Sequence, residues 1–360
     1  MGRVTDADIA IAGAGPAGSA LAAMLGRAGV RTVLFDTATF PRDKVCGEGL
    51  MPAGAAVLDR LGVDLQHYAP LRGVTYRVPG AGSVSGEFMN GTVGRGVRRA
   101  RFDGALAHIA AETVNVDARF GCEPDAIDRV KARYVVGADG LRSRTAKRMG
   151  WARPARKPNR YALAGHVTAP GHGLERVVVT LLEGCEVYTA PTGQDELLVA
   201  VLGGKGHVTR DAYAAAVRSA HPELPVPDDV RGAGPFWVRP STVAGRGVFL
   251  VGDAAGFLDP LTGDGMSDAL VGAKRLAQLI IEGGPAPERA YRRWEARQWR
   301  RRVLVNRLAL TLTGSSVHAR RAVRRLQRRP ATLNRLLAVN DGTQSLWSLS
   351  PRDWAALAGI

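Results

Sequence analysis

The chain has 360 residues, 46% of them hydrophobic, and a formal net charge of +16. That length suits about two domains around a sizeable core. Three separated cysteines (Cys46, Cys122 and Cys185) without a CxxC pair exclude a disulfide framework or zinc ribbon and fit reduced thiols in a cytoplasm, and the lack of any run of about 18 apolar residues excludes a spanning helix.

The opening stretch "DADIAIAGAGPAGSALAAMLGRAGVRTVLFD" predicts a strand over Asp8–Ala12, a glycine turn, an Ala/Leu-rich helix over Ala17–Arg27 and a strand over Val30–Phe35 ending on Asp36. Gly13, Gly15 and Gly18 have the GxGxxG spacing. The first serves a tight turn, the second a close approach to pyrophosphate, and the third close packing of helix on strand. Phosphates would sit at the helix N-terminus, where free N–H groups and the dipole favour negative charge. Asp36 would accept hydrogen bonds from an adenosine ribose. A glycine turn alone is a common structural joint, but strand, turn, helix, strand and acid in register predict a dinucleotide site.

Next comes "FPRDKVCGEGLMPAGAAVLDRLGV", in which Cys46 and Glu48 alternate with Gly47 and Gly49. The chemistry of this loop depends on the cofactor beside it. Two further stretches, 73–94 and 159–239, alternate apolar and polar residues between Gly and Pro breaks, as in "ERVVVTLLEGCEVYTAPTGQDELLVAVL". They predict an antiparallel sheet with one face buried. His166, Tyr188 and Trp237 are candidate pocket residues there, each also explicable as an ordinary sheet or core residue. The seven histidines are scattered, at no spacing that general-base chemistry requires.

Arg99 precedes a Phe-Asp pair in "RRARFDGALAHIA". The segment "YVVGADGLRSRTAKRMG" brings an apolar strand to Asp139 and Gly140, followed by a basic helix start. "GVFLVGDAAGFLDPLTGDGMSDALVGAKRLAQLI" brings another to Gly252 and Asp253, then passes Pro260, Gly263, Gly265 and Met266 into a helix. One Gly-Asp pair reads as a simple helix cap; three motifs in this order do not.

The tail contains "ERAYRRWEARQWRRRVLVNRLAL" and "HARRAVRRLQRR". Between Glu288 and Arg335 there are 15 Arg against 2 Glu, a net +13. Solvated arginine-rich helices packed on the core explain this, as does a basic amphipathic surface for anionic lipid or for an acidic partner such as a carrier protein. Nucleic acid ranks last, because no recognised binding module accompanies the charge.

In order, these segments resemble the three fingerprints of FAD-dependent oxidoreductases with the para-hydroxybenzoate hydroxylase type of fold. The Lys44–Gly47 loop is most similar to the geranylgeranyl reductase branch. The resemblance implies an α/β fold with a Rossmann-like FAD-binding domain over 1–72, 95–158 and 240–285. An inserted antiparallel-sheet substrate domain would occupy 73–94 and 159–239, and a basic helical C-terminal region 286–360. It implies that Asp253 binds a ribityl hydroxyl, Asp139 and Gly140 support the pyrophosphate side, and Arg99 touches the cofactor. The helix beginning near Gly263 to Met266 would aim its positive end at the flavin pyrimidine edge. Cys46 would lie near flavin and substrate, with Gly47 and Gly49 allowing close backbone approach. Glu48 would bond flavin or substrate, or act as an acid if burial raises its pKa. Both side chains also read as structural.

The expected reaction is hydride transfer between FAD and an unsaturated lipophilic molecule (isoprenoid, quinone or polyketide-like), with NAD(P)H as a transient electron donor. One alternative is a class A monooxygenase using NAD(P)H and O2; another is a non-catalytic flavoprotein binding a partner through its basic tail. Halogenation is disfavoured, because the Trp-x-Trp-x-x-Pro stretch of that branch is missing. No metal is expected, and the location is cytoplasmic or membrane-peripheral.

Overall fold

The computed structural model describes residues 6–123, 125–154, 160–313 and 315–358. The expected boundary at residues 158–159 lies outside them. Ten α-helices occur among the described residues: α1 (Pro16–Arg27), α2 (Pro52–Leu61), α3 (Arg99–Glu112), α4 (Arg144–Arg148), α5 (Arg210–Ala220), α6 (Gly265–Ile281), α7 (Pro287–Thr313), α8 (Ser316–Gln327), α9 (Pro330–Asp341) and α10 (Pro351–Ala358).

The apolar strands Ala7–Ala12 and Thr32–Phe35 pair in parallel at the heart of a six-stranded sheet. Its order is Ala244–Gly245, Val248–Leu250, Ala132–Gly137, Ala7–Ala12, Thr32–Phe35, Val116–Arg119. Only the edge strand Ala244–Gly245 runs antiparallel to its neighbour. Helix α1 packs against both α3 and α6 over this sheet. Ile9, Ile11, Leu21, Leu25 and Leu34 are fully buried, as expected of a strand–helix–strand unit built almost entirely from apolar residues. The glycine turn closes as its spacing requires. Gly13 has φ +102°, and a Cβ there would sit 2.4 Å from the Ala138 carbonyl oxygen; a Cβ on Gly18 would sit 1.8 Å from the Gly13 carbonyl oxygen.

The second sheet has seven strands in the order Arg231–Ala233, Arg160–Thr168, Glu196–Gly204, Cys185–Pro191, Arg176–Leu181, Gly73–Val78, Gly82–Glu87. It corrects the sequence reading in two ways. The sheet is not antiparallel throughout, because Arg176–Leu181 runs parallel to Gly73–Val78, with Val179 opposite Tyr76. These strands come from the two separate stretches and meet through a long crossover rather than a hairpin. Nor is only one face buried: Cys185–Pro191 is buried at every position. Val187, Val199 and Val201 lie under α5, packed on Tyr213 and Val217, while Tyr188, Ala190 and Ala200 face the other way.

A small third sheet, Gly49–Leu50, Gly94–Gly96 and Ala69–Leu71, straps the cysteine-glutamate loop between the two larger ones. The C-terminal helices then cover the remaining apolar face. Helix α7 packs on α6, while α8 and α9 pack on Gly82–Glu87, burying Val323, Leu326, Leu333 and Leu337. Among the described residues no helix is long and apolar enough to cross a membrane.

Candidate active site

A cavity of about 560 Å3 extends from the ends of the parallel strands to the inner face of the seven-stranded sheet. Its nucleotide end is made largely of backbone. Gly15 is the N-cap of α1, Pro16 follows, and no side chain caps the helix, which leaves first-turn N–H groups for an anion. The Asp36 carboxylate accepts from the N–H groups of Ala14 (2.7 Å) and Ala38 (2.9 Å), so it is pinned at the end of its strand. Asp139 Oδ2 accepts from the N–H and hydroxyl of Thr145, whereas its Oδ1 is buried without a partner. A buried carboxylate oxygen left open beside the Gly140 turn (φ +75°) fits a donor from a ligand. At the other end, α6 begins at Asp264 with no side-chain cap, and Gly265 and Met266 of its first turn line the cavity. Two uncapped helix N-termini, an orphaned acceptor and glycine walls fit FAD.

The structure brings Gly13, Gly15, Asp36, Arg99, Asp139, Gly140, Gly252, Asp253, Pro260 and Gly263 to this one cavity, together with Cys46 and Glu48. Gly18 lies behind the turn, where it packs on Gly13. Asp253 faces Lys44, whose Nζ is 4.0 Å from its Oδ2.

Glu48 is the most constrained residue of the loop. It is 1% exposed and has φ +56°, a left-handed conformation that costs a non-glycine residue energy and must be held by its surroundings. Its carbonyl accepts from Val97 N–H at 3.0 Å, and its Oε1 accepts from Arg99 N–H at 2.8 Å, so the carboxylate caps the N-terminus of α3. Its Oε2 lies 2.7 Å from His166 Nε2, and His166 Nδ1 is 3.3 Å from Arg98 Nη2. Scattered histidines therefore do not mean an absent one: the strand Arg160–Thr168 carries His166 onto the loop. Its ring is 20% exposed, so the pair runs from the buried wall toward solvent.

Beside it, Arg99 makes two hydrogen bonds to Asp103, at 2.8 and 2.9 Å. Burial opposes its charge, but Asp103 and then the Cys46 sulfur more than offset that and hold its pKa above the usual arginine range. Cys46 thus packs against a guanidinium at the cavity wall.

Tyr188 lies over the loop. A Cβ on Gly49 would sit 2.9 Å from its hydroxyl oxygen, and one on Gly47 would sit 3.3 Å from its ring. The two glycines make room for Tyr188, a demand on these positions that the sequence did not show. Burial first, then the nearby Cys46, Tyr76 and Glu48, push the Tyr188 phenol well up, so it remains a hydroxyl donor. Of the three sheet candidates, Tyr188 lines the cavity and His166 reaches it through Glu48. Trp237 does not line it; its neighbour Phe236 does, packed against Phe257 with centroids 5.6 Å apart. Sequence reasoning also missed Ala162, Ala164 and Ala200, which form a small-residue apolar ceiling.

Charged side chains tie the sheet and the C-terminal helices to the cavity. Arg160 pairs with Glu186 on the sheet and, at 2.7 Å, with Asp259 in the turn before α6. Arg301 and Arg302 of α7 reach Asp268 of α6 at 3.3 and 3.4 Å. At the start of α6, burial and then Asp268 push Asp264 up to about 6. At the end of α9, burial pushes Asp341 up to about 6, although both its oxygens accept from Ala53 N–H at 3.1 Å. Among the described residues no cluster of His, Cys, Asp or Glu could hold a metal ion.

Comparison with known proteins agrees with this site. The family described as FAD binding domain matches residues 6–72 and 88–293. Menaquinone reductase of Mycolicibacterium smegmatis is 30% identical over 320 residues, which is 78% of this chain and 78% of that protein. Digeranylgeranylglycerophospholipid reductase 2 of Methanopyrus kandleri is 27% identical over 310 residues, 76% of this chain and 77% of that one. Among solved structures, a flavoprotein/dehydrogenase from Cytophaga hutchinsonii superposes with a TM-score of 0.79 at 18% identity, covering 93% of each chain. The chain belongs to the FAD binding domain family and is an FAD-dependent oxidoreductase whose relatives include a menaquinone reductase and a digeranylgeranylglycerophospholipid reductase.

Proposed function

We propose that this enzyme transfers hydride between FAD and an unsaturated lipophilic small molecule: a quinone, an isoprenoid chain or a polyketide-like compound. The observation that carries the reading is Glu48, a buried carboxyl group on the cavity wall, linked to the solvent side by His166 and facing an apolar ceiling.

FAD, when bound, supplies two-electron hydride chemistry at N5. Reducing a carbon–carbon double bond or a quinone also needs a proton on the partner atom. Glu48 is placed to hold that proton, and His166 to replace it from outside. The hydroxyl of Tyr188 can donate to a carbonyl oxygen on the same wall. Ala162, Ala164, Ala200, Leu202, Phe236 and Phe257 offer no charge or hydrogen-bonding side chain, so the sheet end accepts an apolar body and rejects a charged one. Behind Tyr188, a further apolar space of about 60 Å3 opens between the sheet and the C-terminal helices, lined by Leu50, Val177, Val179, Leu308 and Leu337. The names of the relatives, reductases of menaquinone and of a digeranylgeranyl lipid, support the same substrate class. NAD(P)H is the proposed electron donor, reaching the cavity transiently.

The test is anaerobic photoreduction of the FAD-loaded enzyme, followed by rapid mixing with a panel of quinones and prenyl alkenes. Reoxidation without O2, with formation of hydroquinone or saturated product, supports the reading. Reoxidation by O2 alone, with oxygen incorporated into a bound ligand, overturns it in favour of monooxygenation.

A further inference from the structure

Helices α7 and α8 carry a surface that the cavity does not use. Along α7, Arg289, Arg293, Arg297, Arg300, Leu304 and Arg307 are all exposed and recur every three or four residues, so they form one stripe down the helix. The exposed side of α8 repeats the composition with Val317, Arg320, Arg321, Arg324 and Arg325. The ion pairs of this region are made by Arg301, Arg302 and Arg335, which turn inward. None of the nine outward arginines pairs with an acid among the described residues.

A stripe that served only solubility would interleave acids with the bases. Both glutamates of the segment instead point inward. Glu288 accepts Gly247 N–H at 2.7 Å, and Glu295, 2% exposed, binds Arg239 and Arg302. The outward charge is therefore all of one sign. The apolar surface is concentrated here as well. Among the described residues the exposed large hydrophobics are Tyr68, Val114, Ile281, Leu304, Val317 and Trp347, and four of these six lie between residues 281 and 347. Leu304 and Val317 interrupt the arginine stripes themselves, and Trp347 is 94% exposed.

We infer that this face docks on an anionic lipid surface. Extended rows of unpaired guanidinium groups match a plane of phosphate headgroups, arginine stems lie along the boundary, and the interspersed leucine and valine reach the acyl region. An acidic protein would account for the charge but does not require apolar side chains set within the stripes. A single-stranded nucleic acid would call for aromatic stacking residues, and the two stripes have none. The inference rests on exposure and charge, not on the proposed reaction, so either can fail without the other.

The experiment is cosedimentation of the FAD-loaded full chain with phosphatidylcholine vesicles, with and without about one third phosphatidylglycerol, across a salt series. The expected result is binding to the anionic vesicles only, weakening as salt rises. Arg293→Glu, Arg297→Glu, Arg320→Glu and Arg324→Glu together should lower vesicle partition at least about tenfold while FAD content is retained. Leu304→Ser with Val317→Ser, charges intact, should lower it about threefold. If the quadruple variant loses FAD, the serine pair and the wild-type salt series decide. The inference is overturned by absence of binding to anionic vesicles, by full binding of the serine pair, or by duplex DNA or an acidic carrier protein displacing the enzyme from the vesicles.

Discussion

His166 Nε2 and Glu48 Oε2 lie 2.7 Å apart, although 118 residues separate them in the chain. The contact joins the cysteine-glutamate loop to the seven-stranded sheet and gives a buried acid on the cavity wall a route outward. Glu48→Gln keeps the shape and the acceptor for Arg99 N–H but removes the transferable proton. We expect it to retain FAD and to slow anaerobic reoxidation by a quinone or alkene about 100-fold or more, in the range of lost general acid catalysis. His166→Gln should slow it less, about tenfold, because water can reach Glu48 in its place. A solvent deuterium effect present in the wild type and absent in Glu48→Gln would complete the assignment. Unchanged rates in both variants would leave the pair as a purely structural staple.

Gly49 and Tyr188 make a second testable couple. An alanine Cβ at Gly49 would meet the Tyr188 hydroxyl at 2.9 Å in a packed wall. Gly49→Ala should cost about 1–3 kcal/mol of stability by overpacking. In Tyr188→Phe the obstructing oxygen is gone, so the same alanine should cost measurably less. Denaturant unfolding of the four proteins in a double-mutant cycle gives the coupling; additive effects would mean that the hydroxyl does not fill that space.

At the nucleotide end the constraint is backbone against backbone. A Cβ on Gly18 would lie 1.8 Å from the Gly13 carbonyl oxygen, and no rotamer change relieves that contact. Gly18→Ala should therefore open the turn and lower FAD retention by about tenfold or more, read from flavin absorbance of the purified protein. Gly15→Ala meets only the end of the Arg42 side chain at 3.3 Å, so it should fold, and its loss of FAD would report the close approach to pyrophosphate rather than a broken turn. Equal FAD content in wild type and Gly18→Ala would refute this account of the turn.

What was legible in the sequence was local. Gly13, Gly15, Gly18 and Asp36 act within one strand–helix–strand unit, so spacing alone places them. The Asp139-Gly140 and Gly252-Asp253 motifs follow strand ends for the same reason. The Glu48–His166 contact was not legible, because it depends on how the strand Arg160–Thr168 lies against a loop from elsewhere in the chain. The glycines at 47 and 49 were legible as crowded positions, but not what crowds them, since Tyr188 arrives from a third segment. Helix α5 was absorbed into an alternating stretch, although the sequence carried its signal. Tyr213, Ala216, Val217 and Ala220 have helical spacing, and Thr209 caps the start through Ala212 N–H at 3.2 Å.

Asp341 sets a pH dependence whose sign follows from burial. Its pKa is raised from the ordinary 3.8 to about 6. Between those values the folded state binds more protons than the unfolded chain, so this group's contribution to stability is fully present below about pH 4 and is lost as pH rises through about 6. The shift corresponds to about 1–3 kcal/mol once partial exposure and the nearby Arg301 are allowed for. Asp341→Asn keeps an acceptor for Ala53 N–H and never ionises. It should match the wild type near pH 4 and exceed it by about 1–3 kcal/mol at pH 8, measured by denaturant unfolding of the FAD-loaded protein. Asp264, raised to about 6 by burial and then by Asp268, acts with the same sign, so Asp341→Asn should remove only part of the slope between pH 4 and 7. A stability difference that stays constant across that range would show that Asp341 binds its proton equally well in the folded and unfolded chain, so that burial between α9 and α2 does not raise its pKa.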